Sequence, residues 1–118
     1  MAGTISVSLT AQYTNGGDSQ LVQPSSTTVT VAGAARVFDV VSVGTSAQAL
    51  SIPAGTLGFI FAQNLDAANY IELSPDGTTW TDKLLAGEFC WKRPDGWTAV
   101  WAKANTAAVL LKYAVFNN

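Results

Sequence analysis

The chain has 118 residues, a size at which one domain buries about two-thirds of its unfolded surface and needs no covalent staple. Only 12% of the residues are charged, against about 25% in ordinary soluble domains, the net charge is −2, and histidine is absent. These figures exclude the basic footprint of a nucleic-acid binder; with one cysteine, they also exclude an internal disulfide, a thiolate metal site and histidine-dependent catalysis.

The N-terminus has no basic segment followed by an apolar run, so no signal peptide is expected. No stretch reaches the roughly eighteen apolar residues of a membrane helix, so a soluble chain without membrane insertion is expected. The opening segment alternates: Ile5, Val7, Leu9, Ala11 and Tyr13 fall on one face, and Thr4, Ser6, Ser8, Thr10, Gln12 and Thr14 on the other. A period of two predicts a half-buried strand, and Asn15-Gly16-Gly17-Asp18 ends it in a hairpin or tight loop. Thr27 to Ala32 alternates Val29 and Val31 with threonines and predicts a second strand. Arg36 to Val43 is apolar on both faces, as expected of a central strand.

Leu50-Ser51-Ile52 predicts a short strand stopped by Pro53, and Leu57 to Ala62 another that is apolar on both sides. Asp66-Ala67-Ala68-Asn69 has room for a single helical turn. Tyr70 to Leu73 is expected to pair, across Pro75-Asp76-Gly77, with a segment near Trp80. Glu88 to Lys92, Thr98 to Lys103 and Ala108 to Phe116 complete a set of about nine or ten strands at sandwich or barrel spacing. The fold expected is all-β: one antiparallel two-sheet sandwich over residues 1–118, a jelly roll in the first place and another Greek-key sandwich in the second.

Chemistry is sparse. The carboxylates Asp18, Asp39, Asp66, Glu72, Asp76, Asp82, Glu88 and Asp95 do not cluster. Asp18, Asp76 and Asp95 stand beside glycines, where turn chemistry accounts for them without catalysis or calcium. No glycine run forms a phosphate loop. The expectation is therefore no catalytic residue, no metal and no cofactor: the protein is not an enzyme. Cys90, between Phe89 and Trp91, reads as a structural strand thiol. Ser74-Pro75-Asp76-Gly77-Thr78-Thr79-Trp80 resembles the Asp-box turn of sialidase-type propellers, short of one residue between Asp and Gly. That box is a folding element, and the segment is read as a hairpin.

Trp80, Trp91, Trp97 and Trp101 form a dense aromatic patch. If one strand carries both Trp97 and Trp101, they share a face. Such a set fills a core, makes a subunit interface, or stacks on sugar rings. The last use would make the chain a carbohydrate-binding module.

Gly58-Phe59-Ile60-Phe61, Asn64-Leu65-Asp66, Asn69-Tyr70-Ile71-Glu72-Leu73, Leu85-Ala86-Gly87-Glu88-Phe89 and Leu111-Lys112-Tyr113 follow one another in an order that resembles small β-rich structural proteins of tailed bacteriophages. The resemblance covers about residues 57–115. It implies a virion protein made in the host cytoplasm: a capsid decoration or cement subunit, a head fibre, or a neck or tail accessory. Its implied partners are capsid or tail proteins and further copies of itself, a trimer being the expectation, with a glycan as a further candidate.

Overall fold

The computed structural model describes residues 3–8, 10–22, 27–31 and 36–117. Twelve strands make up its regular structure, with no helix among the described residues. They are β1 (Gly3–Val7), β2 (Ala11–Asn15), β3 (Asp18–Val22), β4 (Thr27–Val31), β5 (Arg36–Val43), β6 (Gln48–Ala49), β7 (Leu57–Asn64), β8 (Ile71–Ser74), β9 (Asp82–Leu84), β10 (Phe89–Lys92), β11 (Trp101–Ala104) and β12 (Val109–Asn117).

The last eight strands form two packed antiparallel sheets, a β-sandwich. One has the order β10-β7-β12-β5 and the other β6-β11-β8-β9. Counted from Arg36, the strands therefore run 1-8-3-6 in one sheet and 2-7-4-5 in the other, and every connection except β8 to β9 passes from one sheet to the other. Period-two alternation supplies the core. Ile60, Ala62, Leu111, Tyr113 and Val115 point inward from the first sheet, and meet Ile71, Leu73, Leu84, Ala102 and Ala104 from the second. Ile60, Ile71 and Leu73 are almost completely buried, each contributing about 1.5–3 kcal/mol of apolar transfer. The Tyr113 hydroxyl donates to the Ser51 carbonyl at 2.9 Å, so the one phenol in this core is satisfied. Lys92 on edge strand β10 and Asp82 on edge strand β9 meet at 2.6 Å, and this ion pair closes one open side between the sheets.

The described residues between Gly3 and Val31 make two further two-stranded pairings, which together we call the ribbon. β1 pairs with β4 (Gly3 opposite Val31) and β2 with β3 (Ala11 opposite Val22), with no strand pairing to the sandwich. Gly16 has φ +60° at the tip, which only glycine adopts cheaply. The radius of gyration is 15.5 Å, against about 13–14 Å for a compact chain of this length, and the longest extent is 49 Å.

Several expectations are corrected. The single opening strand is two, because three residues separate β1 from β2 while four separate β3 from β4, and one register cannot run through both; Leu9 and Ala32 lie outside the described residues. Arg36–Val43 is an edge strand, not a central one: Phe38 is 66% and Val40 51% exposed. Leu50-Ser51-Ile52 is not a strand; β6 precedes it, and Leu50 is buried with its N–H on the Val100 carbonyl at 2.8 Å. The pairing of β8 with a segment near Trp80 does form: its partner β9 begins at Asp82. No helical turn forms at Asp66–Asn69, because the Asp66 carboxylate takes the N–H groups of Ala68 (3.0 Å) and Asn69 (2.6 Å) in an Asx turn.

Candidate interaction surface

The side chains that alternate with the core residues of the first sheet form its outer face, and this face is aromatic. Trp91 of β10 lies opposite Phe61 of β7, Phe61 opposite Ala114 of β12, and Ala114 opposite Phe38 of β5. One row along, Phe59 lies opposite Phe116. The rings engage one another: Phe59–Trp91 at 4.9 Å, Phe61–Trp91 at 6.0 Å, Phe61–Phe89 at 6.3 Å, and Phe38–Phe116 edge to face at 5.6 Å. Such pairs gain beyond their area, which stiffens the platform. Phe38, Val40, Phe89 and Leu110 remain at least half exposed. A monomer rarely leaves so many large apolar groups together in water without a use for them.

The charges on this face share one sign. Arg36 and Lys112 are exposed and alternate onto it, and the Arg93 guanidinium lies 5.4 Å from the centre of the Phe59 ring. No carboxylate alternates onto it from β5, β7, β10 or β12. The edge of β5, in contrast, is blunted. The Val40 N–H donates to its neighbour Asp39 at 2.8 Å, and the Ser42 carbonyl accepts from Gln48 Nε2 at 3.4 Å. Those backbone groups are thereby withdrawn from pairing with another strand. The face is open while its edge is guarded.

The four tryptophans occupy three different places. Trp91 belongs to the aromatic face. Trp80 and Trp101 lie on the second sheet: Lys103 Nζ sits 4.4 Å from the centre of the Trp80 ring, and the Ser74–Trp80 turn covers Trp101 through Gly77. Trp97 precedes β11, which starts at Trp101, so the two are not on one strand. It packs on the core, with Lys92 Nζ 4.4 Å from its ring centre, and lines an open cleft of about 410 Å³ with Arg93, Asp95 and Thr98. The phenylalanines of the outer face were not singled out from the sequence, although the double-sided apolar character of β5 and β7 was their signal.

The polar residues of the Asn64–Tyr70 stretch serve architecture. Asn64 is fully buried; its Nδ2 donates to the carbonyls of Asn69 (2.8 Å), Leu84 (3.1 Å) and Leu85 (3.2 Å), and its Oδ1 accepts from the Asp66 N–H (2.8 Å). Tyr70 N–H donates to Asn105 Oδ1, and the Thr106 hydroxyl donates to Asn69 Oδ1. In the Ser74–Trp80 turn, Asp76 Oδ1 accepts from the Thr78 and Thr79 N–H groups at 2.9 and 2.7 Å. Cys90 packs against the core, and burial, then the nearby Asp82, pushes its thiol above its ordinary pKa, away from reactive thiolate character. Among the described residues, no group of three or more Cys, Asp or Glu side chains is placed to hold a metal ion. Among the described residues, no helix is long and apolar enough to cross a membrane.

These turns carry a pH dependence whose sign is fixed. Backbone N–H donors of Thr79 and Thr78 hold the Asp76 carboxyl well below the usual range, and those of Asn69 and Ala68 lower Asp66. A carboxyl with a depressed folded pKa stabilises fully above its unfolded pKa of about 4, and that contribution is lost as pH falls below it. Between pH 5 and 2 the thermal midpoint is expected to fall more steeply for the natural chain than for Asp66→Asn/Asp76→Asn. Equal slopes would contradict this assignment.

Comparison of the chain with protein-family models, curated proteins and solved structures finds no match.

Proposed function

We propose that this protein is a non-enzymatic structural subunit of a tailed-phage particle: a capsid decoration or cement protein, or another head- or tail-associated accessory. The observation that carries the reading is the outer face of β10-β7-β12-β5, an aromatic and apolar sheet surface without a cover over Phe38, Val40 and Leu110. Such a surface suits binding to protein. The strand order supports the same reading. The pairings 1 with 8, 2 with 7, 3 with 6 and 4 with 5 correspond to a long hairpin rolled into two sheets, which we take as the jelly roll, an architecture that recurs in viral capsids. The buried Asn64 latch and the Asx turn at Asp66 give the Asn-Leu-Asp…Asn-Tyr stretch a folding role, so the resemblance to phage structural proteins rests on framework residues and not on chemistry. The place of action is then the virion, and the partners are capsid or tail proteins and further copies of the chain, with a trimer as the working stoichiometry. Purified particles are expected to contain the chain at a fixed copy number through a density gradient. A chain that never co-sediments with particles would sink the proposal.

A second reading, a carbohydrate-binding module, is favoured by one observation. Trp97 lies in an open cleft beside Arg93, Asp95 and Thr98, a mixture of ring and polar groups suited to a sugar. One face of that indole is occupied by Lys92. On this reading Trp97→Ala abolishes binding on a glycan array and leaves the circular dichroism spectrum unchanged. Unfolding of the variant would assign the ring to the core.

A further inference from the structure

The outer face lacks a complete cover, and among the described residues β2 and β3 make no strand pairing to the sandwich. A two-stranded hairpin is marginally stable by itself in water. Yet β2 and β3 pair only with each other, and Thr10, Ala11, Thr14, Asn15, Gly16 and Gly17 are exposed. The face, for its part, leaves Phe38, Val40 and Leu110 in solvent.

The root of the ribbon already shows which chemistry fits. Ser6, Val7 and Ser8 of the first arm line a groove of about 210 Å³ with Phe61, Phe89 and Trp91. An uncharged strand segment thus lies against the aromatic side of the face within one chain. Toward β5, Phe38, Val40 and Leu110 stay at least half exposed.

Charge decides among the possible occupants. Two outer faces stacked about a two-fold axis would bring two sets of Arg36, Lys112 and Arg93 into one interface with no acid on either face, a like-charge arrangement that costs free energy. Strand addition at the β5 edge is opposed by Asp39 and Gln48, which already hold two of its backbone groups, the Val40 N–H and the Ser42 carbonyl. The ribbon has neither problem. Residues 1–35 contain no Lys or Arg and a single acid, Asp18, which pairs with Asn15 at the tip. A stretch with one acid and no base complements an apolar face that carries three cations.

We infer that the β2–β3 ribbon of one copy packs on the outer face of a second copy, over Phe38, Val40 and Leu110. The contact is heterologous, ribbon to face, so it propagates from copy to copy and closes into a ring when the rotation allows. This inference deepens the assembly-subunit reading and names the partner of that surface as a second copy of the same chain.

Cysteine pairing tests it on the full chain, in a Cys90→Ser background that removes the natural thiol. Thr14→Cys marks the ribbon and Val40→Cys marks the face; both positions are exposed. Mixed and oxidised, the two single variants are expected to yield the Thr14→Cys/Val40→Cys cross-linked pair as the main product. Separately, Phe38→Ser/Val40→Ser should weaken self-association by about tenfold to a hundredfold in sedimentation velocity, with an unchanged circular dichroism spectrum. A dominant Val40→Cys homodimer would overturn the inference in favour of face-to-face stacking, and a natural chain that stays monomeric at all concentrations would overturn it outright. A monomer that still co-sediments with particles would leave the structural role standing and remove only the ribbon contact. An oligomer cross-linked as expected but absent from particles would do the reverse.

Discussion

Asn64→Asp is expected to destabilise the protein by about 3–5 kcal/mol, the largest effect of any single polar substitution in the sandwich. The Asn64 amide is fully buried at the end of β7, and its two protons are shared among the carbonyls of Asn69, Leu84 and Leu85. Those three carbonyls belong to the loop before β8 and to the end of β9, so a single side chain ties the first sheet to two segments of the second. An aspartate of the same shape accepts the Asp66 N–H as before but, once ionised, has nothing to give the carbonyls. It places negative charge against three oxygens, and each unsatisfied buried group costs roughly 1–3 kcal/mol. Protonation of the new carboxyl restores one donor at most, so the deficit should shrink at acid pH, opposite to the trend set by Asp66 and Asp76. With a typical denaturant slope the urea midpoint should drop by roughly 2 M at neutral pH. A drop below about 0.5 M would mean that water replaces the amide and that the latch is not what joins these segments.

The fold was legible because alternation survives wherever one side of a strand faces the core. β7 and β12 obey the period of two over most of their length, and their buried positions are those the pattern selects. The failures share a cause. β5 and β7 both read as doubly apolar, and β5 as central on that ground, yet only β7 is; in β5 the second apolar face is an outer surface that nothing among the described residues covers completely. Sequence periodicity reports that a side chain avoids water, not which molecule shelters it. The same ambiguity scattered the tryptophans. Their closeness along the chain suggested one patch, but turns at Gly87 and Gly96 send them to three separate places. In the ribbon, a continuous alternation concealed a break that only the unequal spacing of the partner strands creates. Asn64 gave a different lesson. A lone asparagine after an apolar strand reads as a turn residue, and its burial depends on one segment about twenty residues away whose arrival no local pattern announces.

Gly77→Ala separates two effects that glycine substitutions usually confound. Gly77 has φ +81°, and a Cβ there would lie 2.9 Å from Trp101 Cδ2 and 3.1 Å from Cε3, inside the ring's contact distance. Gly87 has nearly the same φ, +79°, with nothing within 4 Å of the added carbon. Gly87→Ala should therefore show the backbone cost alone, about 1–2 kcal/mol for a side chain in the left-handed region. Gly77→Ala should add overpacking against a rigid indole, for about 2–5 kcal/mol in all. Trp101 has little room to yield, because its neighbours along β11 are paired to β8 on one side and β6 on the other. The excess is thus a coupling between residues 77 and 101, and a double-mutant cycle isolates it. In a Trp101→Leu background, itself less stable than the natural chain, Gly77→Ala is expected to cost no more than Gly87→Ala does. If the penalty at Gly77 persists without the indole, the strain lies in the Ser74–Trp80 turn itself. The close packing of that turn on Trp101 would then not be what holds the ring in place and keeps it from serving as a stacking platform.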